Sequence, residues 1–308
     1  MKRYATIDVG TNSVLLLVAE LKEGRFEPLV ERAEITRLGR GVDRSGALDP
    51  AAIEETIRCL ESFAQQARAL GVQAIAATAT SAARDASNGA VFREEAKRRA
   101  GVELQIISGE LEAQLSFAAV HTDFAGSAQG PLVALDIGGG STEFIFGTGD
   151  GPQIAFRHSF DVGSVRLTER FVTGHPVSPA DRERIRAHLK ETFASLPAAP
   201  PGFQLVGVAG TVTTLFSVLH QIDPYDAARV HGGRITHAEL ATLVDRLCEL
   251  PLEERRRLPG LQPKRADVIC AGALVLEGAM EQLGAQGCVV SDRGLRWGLL
   301  VHQFGNQP

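Results

Sequence analysis

Two short loops of similar composition are the part of this sequence best suited to chemistry. Each starts with an aspartate at the end of an apolar run and continues with an aliphatic residue, a glycine and small residues to a serine, at residues 8–13 and 136–141. Glycine lets a ligand approach the backbone closely, and clustered backbone N–H groups with Ser and Thr hydroxyls are neutral donors to an anion. A second apolar run follows each loop. The repeat predicts two related halves, each with a strand–turn–strand hairpin whose tip binds phosphate.

The aspartate at the start of each loop suggests a cation beside the phosphate. A carboxylate alone would repel an anion, so Asp8 and Asp136 are expected to hold Mg²⁺, directly or through water. The alternative is two tight glycine-rich hairpins in which each aspartate caps a turn. Two copies with matched aspartates favour the metal and phosphate interpretation.

The composition is typical of a soluble enzyme. The chain has 308 residues, of which 44% are hydrophobic and 22% charged, which is enough for two domains. The longest apolar runs, such as 14–19, are too short to span a bilayer, and the N-terminus lacks a signal-peptide core. The four cysteines have no zinc-binding spacing. We therefore expect a cytoplasmic protein with reduced, mostly buried thiols and no membrane contact.

The net charge of −5 argues against general nucleic-acid binding. The negative net charge does not exclude a polyanionic substrate, because a local basic groove and a metal ion can outweigh it. Basic runs occur at 255–257 and 264–265, and each alone is more simply explained as a solvated face.

Strand and helix patterns alternate in both halves, which predicts the α/β class. The first half is expected to contain strands at 4–21, 26–36, 72–77 and 104–107, with helices at 51–70, 90–100 and 110–120. The second half is expected to contain strands around 136 and 144 and at 154–160, 205–209 and 288–290. Its predicted helices are 164–171, 178–196, one ending at 219, 238–247, 265–283 and 293–304. The boundary between the halves is expected in the loop 121–130.

Seven segments, in order, resemble the exopolyphosphatase and guanosine pentaphosphate phosphohydrolase (Ppx/GppA) family of the sugar-kinase, actin and chaperone-ATPase superfamily. They are IDVGTNS at 7–13, TSAARDA at 80–86, ISGELEA at 107–113, LDIGGGSTE at 135–143, GVAGTVTT at 207–214, VHG at 230–232 and VSDRGLR at 290–296. The resemblance implies duplicated actin-like (ribonuclease H-like) domains with the active site in an interdomain cleft. The first domain would be 1–121, completed by a C-terminal helix at 292–308, and the second 122–291. The chain resembles the short, two-domain members.

The resemblance also assigns chemical roles. Glu112 matches the family's general base, although a glutamate favoured at a helix start is the simpler local interpretation. Asp136 and Glu143 match metal-linked carboxylates for Mg²⁺ or another divalent cation, with Asp8 as a further metal contact. The two loops are therefore unequal, because Leu15 stands in the first where Glu143 stands in the second.

The remaining predicted site residues bind phosphate. Arg84 would fork onto phosphate oxygens, and its alternative is a surface arginine at a helix start. His231 is more simply interpreted as a structural residue than as a catalytic one. The donors are Gly10, Thr11, Asn12 and Ser13 in the first loop, Gly138, Gly139, Gly140, Ser141 and Thr142 in the second, and Gly210 and Thr211 at a helix start that is alternatively a tight turn.

The expected activity is hydrolysis of the terminal phosphate of inorganic polyphosphate with Mg²⁺, by direct attack of water. One alternative is the conversion of pppGpp to ppGpp, and a second is a non-catalytic sensor of (p)ppGpp or nucleotide. A phosphotransferase of the kinase type is weaker, because 108–113 matches the family segment with the catalytic glutamate. The expected partners are polyphosphate or guanosine penta- and tetraphosphate, and a homodimer is common in the family.

Overall fold

The computed structural model describes residues 2–149 and 151–305. Backbone packing divides the chain into two compact units. The first unit runs to Ser116 and resumes at Leu295, and the second is Phe117–Gly294. Each unit is built around one mixed sheet.

The sheet of the first unit has five strands in the order β3-β2-β1-β4-β5. The first three form an antiparallel meander, and β4 and β5 continue the sheet parallel to β1. The strands β1 and β2 are buried along most of their length because both faces of this part of the sheet are covered. The strands are β1 Lys2–Val9, β2 Ser13–Lys22, β3 Arg25–Ile35, β4 Ala74–Ala79 and β5 Leu104–Ile106.

Five helices accompany these strands: α1 Val42–Ser45, α2 Pro50–Ala69, α3 Ser81–Asp85, α4 Gly89–Ala100 and α5 Gly109–Phe124. Helix α2 begins where the sequence predicts it, because Asp49 caps the first turn by accepting a hydrogen bond from the N–H of Ala51 and Pro50 needs no N–H partner. The apolar face of α2 packs into the core of the first unit through Ile57, Leu60 and Phe63. Helix α5 is longer than predicted, and the division between the units falls within it.

The sheet of the second unit has six strands in the order β10-β11-β9-β6-β7-β8. Apart from β10, its order and strand directions repeat those of the first unit, with β6 in the place of β1. Strand β10 extends the sheet antiparallel to β11 and was not predicted from the sequence, because three residues are too few to show a period. The strands are β6 Leu132–Ile137, β7 Thr142–Gly147, β8 Ile154–Phe160, β9 Gln204–Val208, β10 Arg234–Thr236 and β11 Gly287–Val290.

The helices of the second unit are α6 Ser164–Phe171, α7 Pro179–Phe193, α8 Ala209–Leu219, α9 Ala227–Val230, α10 His237–Glu249, α11 Leu252–Arg255 and α12 Ile269–Leu283. The prediction that α12 starts at 265 was wrong. A short 3-10 helix, Pro263–Arg265, precedes it and closes with a hydrogen bond from the Ala266 N–H to the Pro263 carbonyl. Helix α12 is mostly buried, in agreement with the uninterrupted apolar run at 269–276.

The last helix, α13 Leu295–Phe304, packs against β1 of the first unit. The rings of Tyr4 and Phe304 stack with centroids 4.4 Å apart, and the Thr6 hydroxyl donates to the carbonyl of Arg296 at 3.0 Å. Gly298 allows close contact with α5, because a Cβ at this position would collide with the carbonyl of Leu115.

The two sheets confirm the predicted α/β fold with two similar halves, since both repeat one strand order with helices against the sheet. Cys248, Cys270 and Cys288 are buried free thiols, as predicted, and Cys59 is half-buried. Burial raises the pKa of Cys288 to about 12, which keeps this thiol protonated and unreactive. Within residues 2–149 and 151–305, no helix has the length and apolar content that a bilayer crossing requires.

Candidate functional site

The two predicted loops have the same local geometry. The N–H of Gly10 donates to the carbonyl of Ser13 at 2.9 Å, and the N–H of Gly138 donates to the carbonyl of Ser141 at 3.0 Å. A Cβ on either glycine would lie little more than 3 Å from that carbonyl oxygen, at 3.2 Å and 3.1 Å respectively. Both loops are therefore tight turns that join two antiparallel strands, as the repeat predicted.

The strand register places the loop carboxylates. Asp8 lies opposite Leu15 in the β1–β2 hairpin, whereas Asp136 lies opposite Glu143 in the β6–β7 hairpin. Directly opposed residues share a face of the sheet, so Asp136 and Glu143 lie side by side. Asp8 has an aliphatic residue in that place. The strand pairing therefore shows the expected difference between the two loops, because only the second has two carboxylates opposite each other.

Glu143 is fully buried and is held by a neighbouring strand. The Ser159 hydroxyl on β8 donates to Glu143 Oε1 at 2.6 Å, a short hydrogen bond to a charged acceptor. Ser159 was missed by the sequence analysis, because only the β7–β8 register brings it opposite Glu143. The hydroxyl fixes the orientation of the carboxylate next to Asp136.

Asp136 and Glu143 fit a divalent cation by the chemistry of their donors. Mg²⁺ is typically bound by one or two carboxylates, with water and substrate phosphate completing its shell. Among the described residues, no group of three or more His, Cys, Asp or Glu side chains could hold a metal ion by itself. This pair is therefore suited to a cation shared with an anionic ligand rather than to a closed structural metal site.

The first loop turns its carbonyls to one side. The Thr11 carbonyl accepts from the N–H of Gly39 at 2.8 Å, and the Asn12 carbonyl accepts from the N–H groups of Thr36 and Arg37 at 3.1 Å and 3.0 Å. Because the C=O and N–H of a trans peptide point in opposite directions, the following N–H groups point away from these contacts. Gly39 is required here, since a Cβ would collide with the Thr11 side chain.

Two buried polar groups near the first loop lack a hydrogen-bond partner in the described part of the chain. One is the side-chain amide of Asn12, of which both Nδ2 and Oδ1 lack a partner. The other is the hydroxyl of Thr78 on β4, which lies next to Asp8 in the β1–β4 pairing. Buried polar groups without a partner are costly, and they are often found where a ligand binds. Thr78 gave no signal in the sequence, because it is one small residue in an alanine-rich strand.

Glu112 and Arg84 are brought together in the first unit. Glu112 lies in the first turn of α5 and is only 8% exposed. Arg84 lies at the end of α3, and its Nη1 atom is 3.4 Å from Glu112 Oε2 and 3.1 Å from the carbonyl of Ile107. The contact forms because α3 follows β4, α5 follows β5, and these parallel strands end side by side. Arg84 is thus half-buried against Glu112 rather than an isolated surface arginine.

At the third predicted phosphate site, β9 leads directly into α8. Ala209 has a φ of 68°, a left-handed conformation that is costly for a residue with a Cβ. The guanidinium of Arg265 lies over Gly210, where a Cβ would be 2.5 Å from its Nη1. Thr211 is buried, with its methyl group against Gly272 of α12. The methyl group of Thr211 therefore packs against α12, and the guanidinium of Arg265 lies beside the start of α8.

His231 lies in a set of structural contacts within the second unit. Its Nδ1 accepts from the N–H of Asp292 at 3.3 Å, and its Nε2 is 3.9 Å from Asp123 Oδ2. The ring also lies 5.1 Å from that of Phe124. Asp123 is bound more closely by Arg293, at 2.8 Å. These contacts agree with the structural interpretation of His231.

Comparison with known families identifies the chain. A family model described as the Ppx/GppA phosphatase family matches residues 17–307. This chain belongs to the Ppx/GppA phosphatase family. The resemblance drawn from seven sequence segments is thereby confirmed.

Relatives of known name match the chain from end to end. Exopolyphosphatase 2 of Mycobacterium tuberculosis is 35% identical over 323 aligned residues, which cover 99% of each chain. The crystal structure of the Aquifex aeolicus Ppx/GppA family member has a TM-score of 0.83 and 34% identity, and covers 100% of this chain and 99% of its own. An exopolyphosphatase structure from Cytophaga hutchinsonii has a TM-score of 0.87 and 26% identity, covering 99% of this chain and 98% of its own.

Family membership and these relatives establish the class of enzyme. The chain is a phosphoanhydride hydrolase of the Ppx/GppA type, as predicted. The metal, the general base and the substrate among phosphoanhydrides stay predictions.

Proposed function

We propose that this Ppx/GppA phosphatase is an exopolyphosphatase, which removes terminal orthophosphate from inorganic polyphosphate with Mg²⁺. The observation that carries the proposal is the end-to-end match to Exopolyphosphatase 2 of Mycobacterium tuberculosis, at 35% identity and 99% coverage of both chains. A match over the whole length includes every segment that contributes a predicted site residue.

Glu112 is the proposed general base. Water attacks the terminal phosphorus, the bond from that phosphorus to the bridging oxygen breaks, and the shortened chain leaves with the electron pair. Glu112 accepts the proton that the attacking water loses. Its position in the first turn of a helix and its contact with Arg84 at 3.4 Å support this role, because both restrict the orientation of the carboxylate.

Asp136 and Glu143 are the proposed ligands of Mg²⁺, with Asp8 as a further carboxylate in the first unit. When bound, Mg²⁺ neutralises charge on the phosphoryl oxygens. The support for this assignment is the adjacent placement of two buried carboxylates and the hydrogen bond that orients one of them.

The proposed phosphate donors are neutral backbone and hydroxyl groups of the two tight turns. Such donors recognise phosphate oxygens, which all polyphosphates present, and they require no nucleoside. The same donors fit the phosphate chain of pppGpp, so the choice of polyphosphate rests on the match to Exopolyphosphatase 2. The donor set also explains how a chain with a net charge of −5 can bind a polyanion, because the donors act locally.

The test compares phosphate release from medium-length polyphosphate and from pppGpp by one preparation with Mg²⁺. Faster release from polyphosphate is expected. Phosphate release from pppGpp alone would make pppGpp the substrate in place of polyphosphate. Binding of both compounds without phosphate release would make the protein a non-catalytic sensor. Hydrolysis in ¹⁸O-labelled water should place the label in orthophosphate, and label in the shortened chain would contradict direct attack at the terminal phosphorus.

A further inference from the structure

The second loop is held differently from the first. In the first loop the carbonyls are bound by backbone N–H groups of residues 36–39. In the second they are bound by the start of α6, where the N–H of Ser164 donates to the Gly138 carbonyl at 3.0 Å and that of Val165 to the Gly139 carbonyl at 2.9 Å. The third carbonyl, that of Gly140, accepts from a side chain, the Nε of Arg166, at 2.8 Å.

These three contacts determine where the loop N–H groups point. A trans peptide carries its C=O and N–H on opposite sides, so holding three successive carbonyls toward α6 directs the next three N–H groups away from it. Those groups belong to Gly139, Gly140 and Ser141. They donate to no protein acceptor within residues 2–149 and 151–305. Successive N–H groups on one side form a concave donor set for an anion.

Of these three contacts, the one made by Arg166 comes from a side chain. A substitution of Arg166 therefore removes it, whereas the other two contacts come from backbone N–H groups. Any residue other than proline at 164 or 165 supplies a backbone N–H, but the contact to the Gly140 carbonyl comes from the guanidinium of Arg166. Gly139 and Gly140 have no Cβ, so rotation of the peptide after Gly140 meets little steric resistance. A rotated peptide would turn its carbonyl oxygen toward the bound phosphate, and the two would repel.

The surroundings hold Arg166 close to the loop. A Cβ on Gly163 would lie 2.5 Å from the carbonyl oxygen of Gly139, so α6 starts directly against the loop. The Arg166 side chain is 14% exposed, and the Asp161 carboxylate, which lies 3.9 Å from its Nη2 atom, is 77% exposed. An ion pair of this length with a solvated carboxylate is weak.

We propose that Arg166 is a positioning residue, which holds the Gly140–Ser141 peptide so that the Ser141 N–H faces the phosphate of the substrate. The proposal rests on the proposed function, because it assumes that this loop binds phosphate. Arg166 acts through the backbone and need not contact the substrate. Its role is to keep a donor in place before the reaction, so its loss should lower kcat strongly and weaken phosphate binding to a smaller extent.

The test uses Arg166→Ala and Arg166→Lys, with Arg170→Ala on the exposed face of the same helix as the matched control. With polyphosphate and Mg²⁺, Arg166→Ala is expected to lower kcat by roughly 10- to 100-fold, which is less than the roughly 100- to 1,000-fold cost of removing an oxyanion donor outright, because the Ser141 N–H is misplaced rather than removed. Arg166→Lys should stay defective, because it keeps the charge but lacks the guanidinium. Methylguanidinium should partly restore the kcat of Arg166→Ala, and methylammonium should not.

Binding of tripolyphosphate, measured by calorimetry, separates this proposal from the proposed function. If the wild-type protein binds tripolyphosphate without hydrolysing polyphosphate, the proposed function fails. In that case, weaker tripolyphosphate binding by Arg166→Ala than by Arg170→Ala still supports the positioning role of Arg166. Unchanged kcat and binding in folded Arg166→Ala, or a loss that follows unfolding alone and is not rescued by methylguanidinium, would overturn the role. A wild-type protein that neither binds nor hydrolyses polyphosphate would overturn both proposals.

Discussion

Removing the Ser159 hydroxyl should weaken the proposed metal site without touching a metal ligand. Ser159 donates to Glu143 Oε1 at 2.6 Å, and Glu143 lies fully buried beside Asp136. In Ser159→Ala the buried carboxylate loses this donor and the orientation that it imposes. Ser159→Thr keeps the hydroxyl, and it is the matched control because a β-branched residue suits a strand.

The magnitude follows from the charge of the acceptor. A hydrogen bond to a charged group contributes about 1.5–3 kcal/mol to stability, so Ser159→Ala should destabilise the second unit by about 2 kcal/mol. For a unit of this size, that is a fall in Tm of about 4–8 °C. Mutation of a residue that hydrogen-bonds to a metal ligand typically lowers metal affinity by about 10- to 100-fold. The Mg²⁺ concentration for half-maximal activity should therefore rise by roughly 10-fold or more in Ser159→Ala.

Two assays measure these effects. Thermal unfolding with and without Mg²⁺ should give a lower Tm for Ser159→Ala than for Ser159→Thr, and a smaller gain from the same Mg²⁺ concentration. A Mg²⁺ titration of phosphate release should shift for Ser159→Ala alone. If both variants matched the wild type in Tm and in Mg²⁺ dependence, the hydrogen bond would not orient Glu143 and the reasoning would be refuted.

Two further predictions concern packing and pH. Gly39→Ala places a Cβ against the Thr11 side chain, so it should lower the free energy of unfolding by about 1–3 kcal/mol and slow phosphate release. Chemical denaturation checks this against Gly126→Ala, whose Cβ would meet open space, and equal effects of both variants would contradict it. For Asp181, burial works to raise the pKa, but hydrogen bonds from Thr173 and Ser178 together with Arg184 bring the pKa of this carboxyl below its usual value. Its stabilisation is therefore present above the unfolded pKa of about 4 and is lost as the pH falls through the lower folded pKa. Asp181→Asn should unfold in less urea than the wild type at pH 7, with a difference that shrinks in acid, and a difference independent of pH would refute the assignment.

The loops could be predicted from the sequence because their chemistry is local. Glycine at positions 10 and 138 and serine at 13 and 141 define the same turn, and the apolar runs on either side define the hairpin strands. Even the inequality of the loops followed from counting, since a hairpin with a short turn fixes which residues face each other.

The contacts that hold the site could not be predicted, because they join distant segments. Ser159 meets Glu143 only through the β7–β8 register, and Arg84 meets Glu112 because two parallel strands end side by side. Arg166 reaches Gly140 because α6 starts directly against the loop. No local period or motif encodes such pairings, which arise from tertiary packing.

The same limit explains the errors in the fold. The sequence 265–283 is apolar with helical spacing, but the 3-10 helix at Pro263–Arg265 delays the start of α12 to Ile269. Strand β10 is three residues long, and it is a strand because β11 offers it an edge to pair with.

The turnover of Glu112→Gln on polyphosphate shows whether Glu112 activates the attacking water. Glutamine keeps the shape of the side chain but cannot accept the proton of water, so kcat should fall by roughly 100- to 10,000-fold while tripolyphosphate binding persists. Glu110→Gln, two residues earlier on a different face of α5 and exposed, should keep wild-type turnover. Turnover of Glu112→Gln equal to that of Glu110→Gln would contradict the claim that Glu112 activates the water.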